Sequence, residues 1–191
     1  QLDVLAHTSL DMNANGNIRS GRPKLDLNEY TDNKSWAVTA RAKYTAFDGI
    51  QFGTTVQYQH DVSTAVAGSQ NSYLLENHAT YTKGDFTLKA MAAYWKFDGF
   101  ASNIEDEQWG YYIEPSYKFD TKLGKLGVFG RYSQYKFADK STAGKTNKYD
   151  EYTVGANLWI SDEVVFKVDY SNIDKGGVND ETVNFGVGYA F

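Results

Sequence analysis

The chain has no cysteine, two prolines and three histidines among its 191 residues. Without thiols it can hold neither disulfides nor thiolate metal sites. No run approaches the roughly 18 consecutive apolar residues with which a helix spans a bilayer, and mean hydropathy is −0.55. A helical membrane protein is therefore excluded. A basic surplus is also missing: the net charge is −5, which argues against nucleic acid as the main partner. Polar low-complexity tracts are absent as well, since 15 Tyr, 11 Phe and 4 Trp are spread through the sequence, so intrinsic disorder is disfavoured. No signal peptide opens the chain, and Gln1 reads as a mature N-terminus or an internal cut.

What is present is alternation. In the last stretch, Val183, Phe185, Val187, Tyr189 and Phe191 fall on one face, and Thr182, Asn184, Gly186, Gly188 and Ala190 on the other, the period of two of a half-apolar strand. The same pattern runs from Leu2 to Met12, Ser35 to Thr45, Ile50 to Gln59, Tyr73 to Tyr81 and Phe86 to Trp95. It continues from Tyr111 to Phe119, Val128 to Ser133, Glu151 to Ile160 and Val164 to Ser171. Asn77 makes the fourth strand less regular, because it shares the face of Leu75, Ala79 and Tyr81. Pro115 has no N–H for a ladder and hints at a bulge or a locally open pairing.

The count is about ten strands of roughly ten residues, the length a tilted strand needs to cross a hydrocarbon layer. Short turns at Asp48, Lys83, Thr121 and Ser161 alternate with long loops after Met12, His60, Phe97, Phe137 and Asp174. Sorting of loops by length predicts an all-β, antiparallel transmembrane β-barrel domain over residues 1–191, with short turns and both termini on the periplasmic side of a Gram-negative outer membrane.

The two faces fit that expectation. On the greasy face Tyr44, Tyr81, Phe86, Tyr117, Phe119, Tyr189 and Phe191 lie near short turns. Trp36, Tyr58, Tyr73, Tyr94, Tyr111, Tyr132, Tyr152 and Tyr170 lie near long loops. These read as two lipid-facing aromatic girdles. The opposite face carries Arg41, Lys43, Lys89, Lys118, Arg131 and Lys167 with Asp3, Asp11, Glu114, Glu151 and Asp169. Such charges need water, so they are candidate lining residues of a wet lumen. Cations there would draw anions; alternatively they pair with Glu114, Glu151 and Asp169 across the wall.

Ile18-Arg19-Ser20-Gly21-Arg22, Tyr112-Ile113-Glu114-Pro115-Ser116-Tyr117, Val128-Phe129-Gly130-Arg131-Tyr132, Val154-Gly155-Ala156-Asn157-Leu158-Trp159 and Asn184 to Phe191 together resemble the C-terminal half of the phosphate-selective porin O/P-type family of Gram-negative outer-membrane porins. The resemblance implies a barrel of about 16 strands, of which this chain would supply about ten, or else a smaller ten-strand relative. It further implies passive diffusion of small hydrophilic solutes or ions without a cofactor, a preference for anions including phosphate, and a homotrimer. Outer-membrane lipid and lipopolysaccharide would be the surroundings, and the aromatic end at Phe191 resembles the signal read by the barrel assembly machinery.

Other readings compete for particular residues. Asp11-Met12-Asn13-Ala14-Asn15-Gly16 mimics the start of an EF-hand loop, but Arg22 stands at its twelfth position, so an ordinary Asn-Gly turn is preferred. The acidic stretch Glu105-Asp106-Glu107 could bridge lipopolysaccharide through a divalent cation, against a simple solvated loop. A rim hydrolase would need a histidine with an acid, for which only His7, His60 and His78 are available, His60 beside Asp61. A non-conducting anchor or adhesin would use the long loops, above all Asn13 to Lys34.

Overall fold

The computed structural model describes residues 1–10, 36–62, 70–98, 106–137 and 147–190, and its regular structure is entirely β. The strands are β1 (Leu2–His7), β2 (Trp36–Tyr44), β3 (Ile50–His60), β4 (Asn71–Lys83), β5 (Phe86–Asp98), β6 (Glu107–Thr121), β7 (Gly124–Lys136), β8 (Lys148–Trp159), β9 (Val164–Asp174) and β10 (Asn179–Tyr189). Each pairs antiparallel with its neighbours in sequence, giving one ten-stranded sheet in the order β1 to β10. This meander is the strand order of an up-and-down barrel wall. Its outermost strands, β1 and β10, pair only with β2 and β9 among the described residues.

Register turns the separate alternations into two continuous faces. Residues directly opposite in an antiparallel pair project to the same side. Ala42, Thr54, Asn77, Ala92 and Tyr111 are successive opposite partners from β2 to β6, and Gly155, Asp169 and Asn184 are so from β8 to β10. A one-residue slip anywhere would exchange the faces of a strand. The ladder is interrupted once, between β6 and β7. Ile113 pairs with Tyr132 and Ser116 with Phe129, but Glu114 and Pro115 have no ladder partner there. The count is unchanged across the gap, so Pro115 leaves a locally open pairing and not a bulge.

Two connections differ from the sequence expectation. The first strand ends at His7, not Met12: Ser9 donates to the side-chain oxygen of Gln59 at 3.2 Å, and the Leu10 N–H donates to the same oxygen at 2.8 Å. Side-chain bonds here draw the chain off the sheet before residues 11 and 12, which lie outside the described region. The expected long loop after Asp174 is instead the tight turn Lys175 to Val178, since Asp174 pairs directly with Asn179. Gly176 and Gly177 adopt φ of 71° and 93°, a region open to glycine at little cost. The Gly177 N–H donates to Asp174 at 2.6 Å, and the Lys175 N–H donates to the Val178 carbonyl at 2.9 Å. Glycine-driven closure thus extends both strands, and the alternation of short and long connections fails at this last hairpin.

Burial is inverted relative to a water-soluble domain. The only buried hydrophobic residues among those described are Ala37, Val62 and Phe97, whereas Phe185 is 82% exposed, Val187 69% and Val154 58%. Ser9, Gln59, Gln70, Ser72, Glu114 and Ser171 are the buried polar residues. The shielded side is polar and the open side apolar. At about 25 cal/mol per Å² of apolar area, such a surface is heavily penalised in water and relieved in hydrocarbon.

Candidate functional site

The exposed face carries aromatic rows at both ends. Towards the longer connections, Trp36 meets Tyr58 edge-on at 5.4 Å and Tyr132 meets Tyr111 edge-on at 6.2 Å, while Tyr58 and Tyr73 at 5.2 Å and Tyr132 and Tyr152 at 5.0 Å are tilted. Their hydroxyls point at a polar row beyond: Tyr94 donates to Glu107 at 3.0 Å, Tyr111 to Gln134 at 3.1 Å and Tyr132 to Asp150 at 2.6 Å. Apolar ring and wet tip are thus separated along one side chain, the property that suits tyrosine to a lipid–water boundary. Near the short turns Tyr117 meets Phe119 at 4.8 Å and Tyr44 meets Phe47 at 5.7 Å. Tyr170 and Tyr189 share the exposed face, opposite Val183 and Val164. Phe191 lies outside the described residues.

On the shielded face the charges gather at Glu114, which is 5% exposed. Lys89 donates to its Oε1 at 3.2 Å, Arg131 donates from Nε to its Oε2 at 2.7 Å, and Nη2 of the same guanidinium bonds the same oxygen. The guanidinium also stands over the Tyr112 ring at 4.8 Å, a stacking that fixes its plane. Two cations around one acid leave a net positive charge on this stretch of wall. Arg41 is held by Asp3, with contacts of 2.7 and 3.1 Å from Nη2 and Nε. Lys118 lies over Trp159 at 5.2 Å. Lys43, Lys118 and Lys167 form no ion pair among the described residues. Asp169 accepts from Asn184 at 2.8 Å, and Glu151 from Thr153 at 3.4 Å. Pairing across the wall therefore absorbs Arg41, Lys89 and Arg131, while Lys43, Lys118 and Lys167 have no carboxylate partner among the described residues.

Large rings lie flat on this wall because glycine sits beneath them. A Cβ at Gly53 would fall 2.1 Å from the His78 ring, one at Gly155 2.5 Å from Phe129, and one at Gly127 2.8 Å from Trp159. Space for a ring is what these glycines supply, a cross-strand device of twisted sheets. The alternation marks them only as small residues, so sequence reading missed the pairing; a glycine directly opposite an aromatic, as Gly53 is to His78 and Gly155 to Phe129, was the available signal for two of the three.

The inner wall is also crossed. Ser9 and Leu10 reach Gln59, whose ladder partners Ala37 and Ser72 are fully buried with it. The connection leaving β1 therefore starts inward, over β2 to β4. The arginines of Ile18 to Arg22, the Asp11 to Gly16 turn, Glu105 and the rest of the long loop fall outside the described residues. The three histidines are apart: His60 is on the exposed face, 5.7 Å from the Trp36 ring and bonded to Asn71 at 2.9 Å. His7 touches Thr39 at 3.0 Å, and His78 touches Glu76 at 2.7 Å. Lys175, in the last turn, is held above the ordinary lysine range by the carboxylate of Asp180, 2.7 Å away.

An exposed apolar belt between aromatic rows, backed by a charged and shielded inner face, defines the wall of an antiparallel transmembrane β-barrel. No protein-family model matches the chain, and no curated protein matches it. Among solved structures it is similar to the translocator domain of the autotransporter NalP from Neisseria meningitidis, at 16% identity and a TM-score of 0.43, over 82% of this chain and 66% of that one. The chain thus spans just under two thirds of that domain.

Proposed function

We propose that the chain builds the wall of an outer-membrane channel through which small hydrophilic solutes and ions diffuse passively. The observation that carries this reading is the inner face: among the described residues Lys43, Lys118 and Lys167 stand on it without counter-ions, beside the cation-rich Glu114 cluster. Unpaired charges are stable only in contact with water, and water continuous along a charged wall is a pathway. Excess cation favours anions by raising their local concentration, in line with the resemblance to phosphate-selective porins. Among the described residues β1 and β10 each keep one unpaired edge, and in hydrocarbon that edge must meet a partner strand, because backbone N–H and C=O groups find no water there. Conductance of the purified protein in planar bilayers tests the proposal, with discrete ohmic steps expected and silence overturning it. A reversal potential towards the cation limit would overturn the anion preference alone.

A second reading, a non-conducting anchor, is favoured by one observation. Ser9 and Leu10 lie inward on the wall with buried Gln59, Ser72 and Phe97, so part of the lumen is filled. In that case the bilayer remains silent while the protein still inserts.

A further inference from the structure

Aromatic rings also gather on the inner face, where lipid gives no reason for them. At the end towards the longer connections, Tyr135 stacks on Tyr149 at 5.3 Å, and Phe137 meets each of them edge-on at 5.4 Å. On β5, Trp95 stacks on Phe97 at 5.6 Å. Between the two groups runs β6, which sets Gly110 opposite Ala93 on one side and Tyr135 on the other. These two small residues leave a slot of about 210 Å³, bordered by Leu74, Trp95, Tyr135 and Phe137.

Charge and hydrogen bonding narrow what fits. Among the described residues lining the slot the one charge is Lys136, and its ammonium bonds Glu107 at 3.3 Å. The lysines without a described carboxylate partner, Lys43, Lys118 and Lys167, stand at the other end of the wall, near the short turns. Gln108 lines the slot opposite Trp95 in the ladder, and its carboxamide makes no hydrogen bond among the described residues. The Trp95 indole N–H is buried without an acceptor.

We propose that this slot binds one ring of a neutral sugar at the outer mouth of the channel. The inference rests on the channel reading above, which brings water and solutes past the slot. A pyranose carries C–H groups on its flat sides, and these pack on the negatively charged faces of aromatic rings. Its hydroxyls each donate and accept, so they answer both Gln108 and the Trp95 N–H. A few such polar groups in an otherwise apolar pocket are what fix a ligand's orientation. A nucleotide would also stack, but its phosphate meets no free cation on the described wall nearby. The hold is weak by design of the site, since a conducted solute must be able to leave.

Isothermal titration calorimetry with maltose reads binding without requiring conduction, provided the protein is folded in a detergent that has no sugar head group. Saturable heat is expected with maltose, and none with adenosine monophosphate at the same concentration. Tyr135→Ala should weaken maltose binding at least tenfold and Gln108→Ala several-fold, while Tyr135→Phe, which keeps the ring, should bind as the unaltered chain does. No saturable heat with maltose, or tighter binding of the nucleotide, overturns the sugar site. Unchanged affinity in Tyr135→Ala overturns its location, and if that variant does not fold, unchanged affinity in Gln108→Ala does so. Maltose binding by a protein that is silent in planar bilayers overturns the channel reading alone, whereas conductance without maltose binding overturns the site alone.

Discussion

Arg131 and Glu114 join β6 to β7 at the one place where the backbone ladder between those strands is open. The guanidinium bonds the buried carboxylate beside Pro115, where Glu114 and Pro115 lack ladder partners on β7. A charge-assisted side-chain bond, stronger than a neutral one, thus spans the gap that proline makes. Glu114→Gln should weaken the barrel by about 1–3 kcal/mol, the range for hydrogen bonds to charged groups. The same change deprives Lys89 and Arg131 of their counter-ion, so reversal potential in a salt gradient should move towards the anion limit. Denaturant unfolding in detergent and bilayer recording measure the two effects; a shift towards cations would contradict the placement of Glu114 on the conducting face.

The exposed face predicts a depth-dependent penalty for charge. Val154 and Val187 are open to the surroundings, and in water a lysine at either site would be harmless. In mid-bilayer it should cost about 2–4 kcal/mol. Asn184→Lys, one strand position from a lipid-facing site but on the inner face beside Asp169, should cost far less. Folding titrations into lipid vesicles separate the cases, and equal tolerance at all three positions would contradict the assigned faces.

Strand positions and faces were legible because alternation holds in nearly every strand. Val183, Phe185 and Val187 cannot share a face with Asn184 and Gly186 in any extended chain, and every ladder agrees with that division. Less legible were the ends. The alternation of Leu2 to Met12 continues past the sheet, and the reason it stops at His7 is a long-range bond from Ser9 and Leu10 to Gln59, fifty positions away in sequence for Ser9. At the last hairpin the polar run Lys175 to Asp180 resembles a loop by composition, whereas two adjacent glycines at positive φ make it a turn. The lumen charges were found individually, but which of them pair is decided by cross-strand register: Glu114 meets Lys89 by being its direct ladder partner. Composition contains nothing of that.

The rings on glycine give a third test. His78 lies over Gly53 and Phe129 over Gly155, so Gly53→Ala and Gly155→Ala must displace a ring or the strand. Overpacking of this kind costs about 1–3 kcal/mol. Gly130→Ala, where a Cβ meets nothing within 4 Å, is the matched control and should be near neutral. Thermal unfolding of the three variants in one detergent ranks them, and a neutral Gly155→Ala would show that the Phe129 ring is free to leave.

The inward start of the connection after β1 bears on conduction itself. Gln59 accepts from the Ser9 hydroxyl at 3.2 Å and from the Leu10 N–H at 2.8 Å through one side-chain oxygen. Gln59→Ala removes both bonds while leaving the strand backbone intact, because alanine keeps the N–H and C=O of the β2–β3 and β3–β4 ladders. Two hydrogen bonds of about 1 kcal/mol each then no longer hold the segment to the wall. If that segment narrows the pathway, single-channel conductance should rise and open-channel noise increase, with ion preference unchanged, since none of the lining charges has moved. The same variant judges the anchor reading. A wild-type protein that is silent and a Gln59→Ala variant that conducts would place the obstruction in this segment, and unchanged conductance in both would mean that Ser9 and Leu10 do not limit flow.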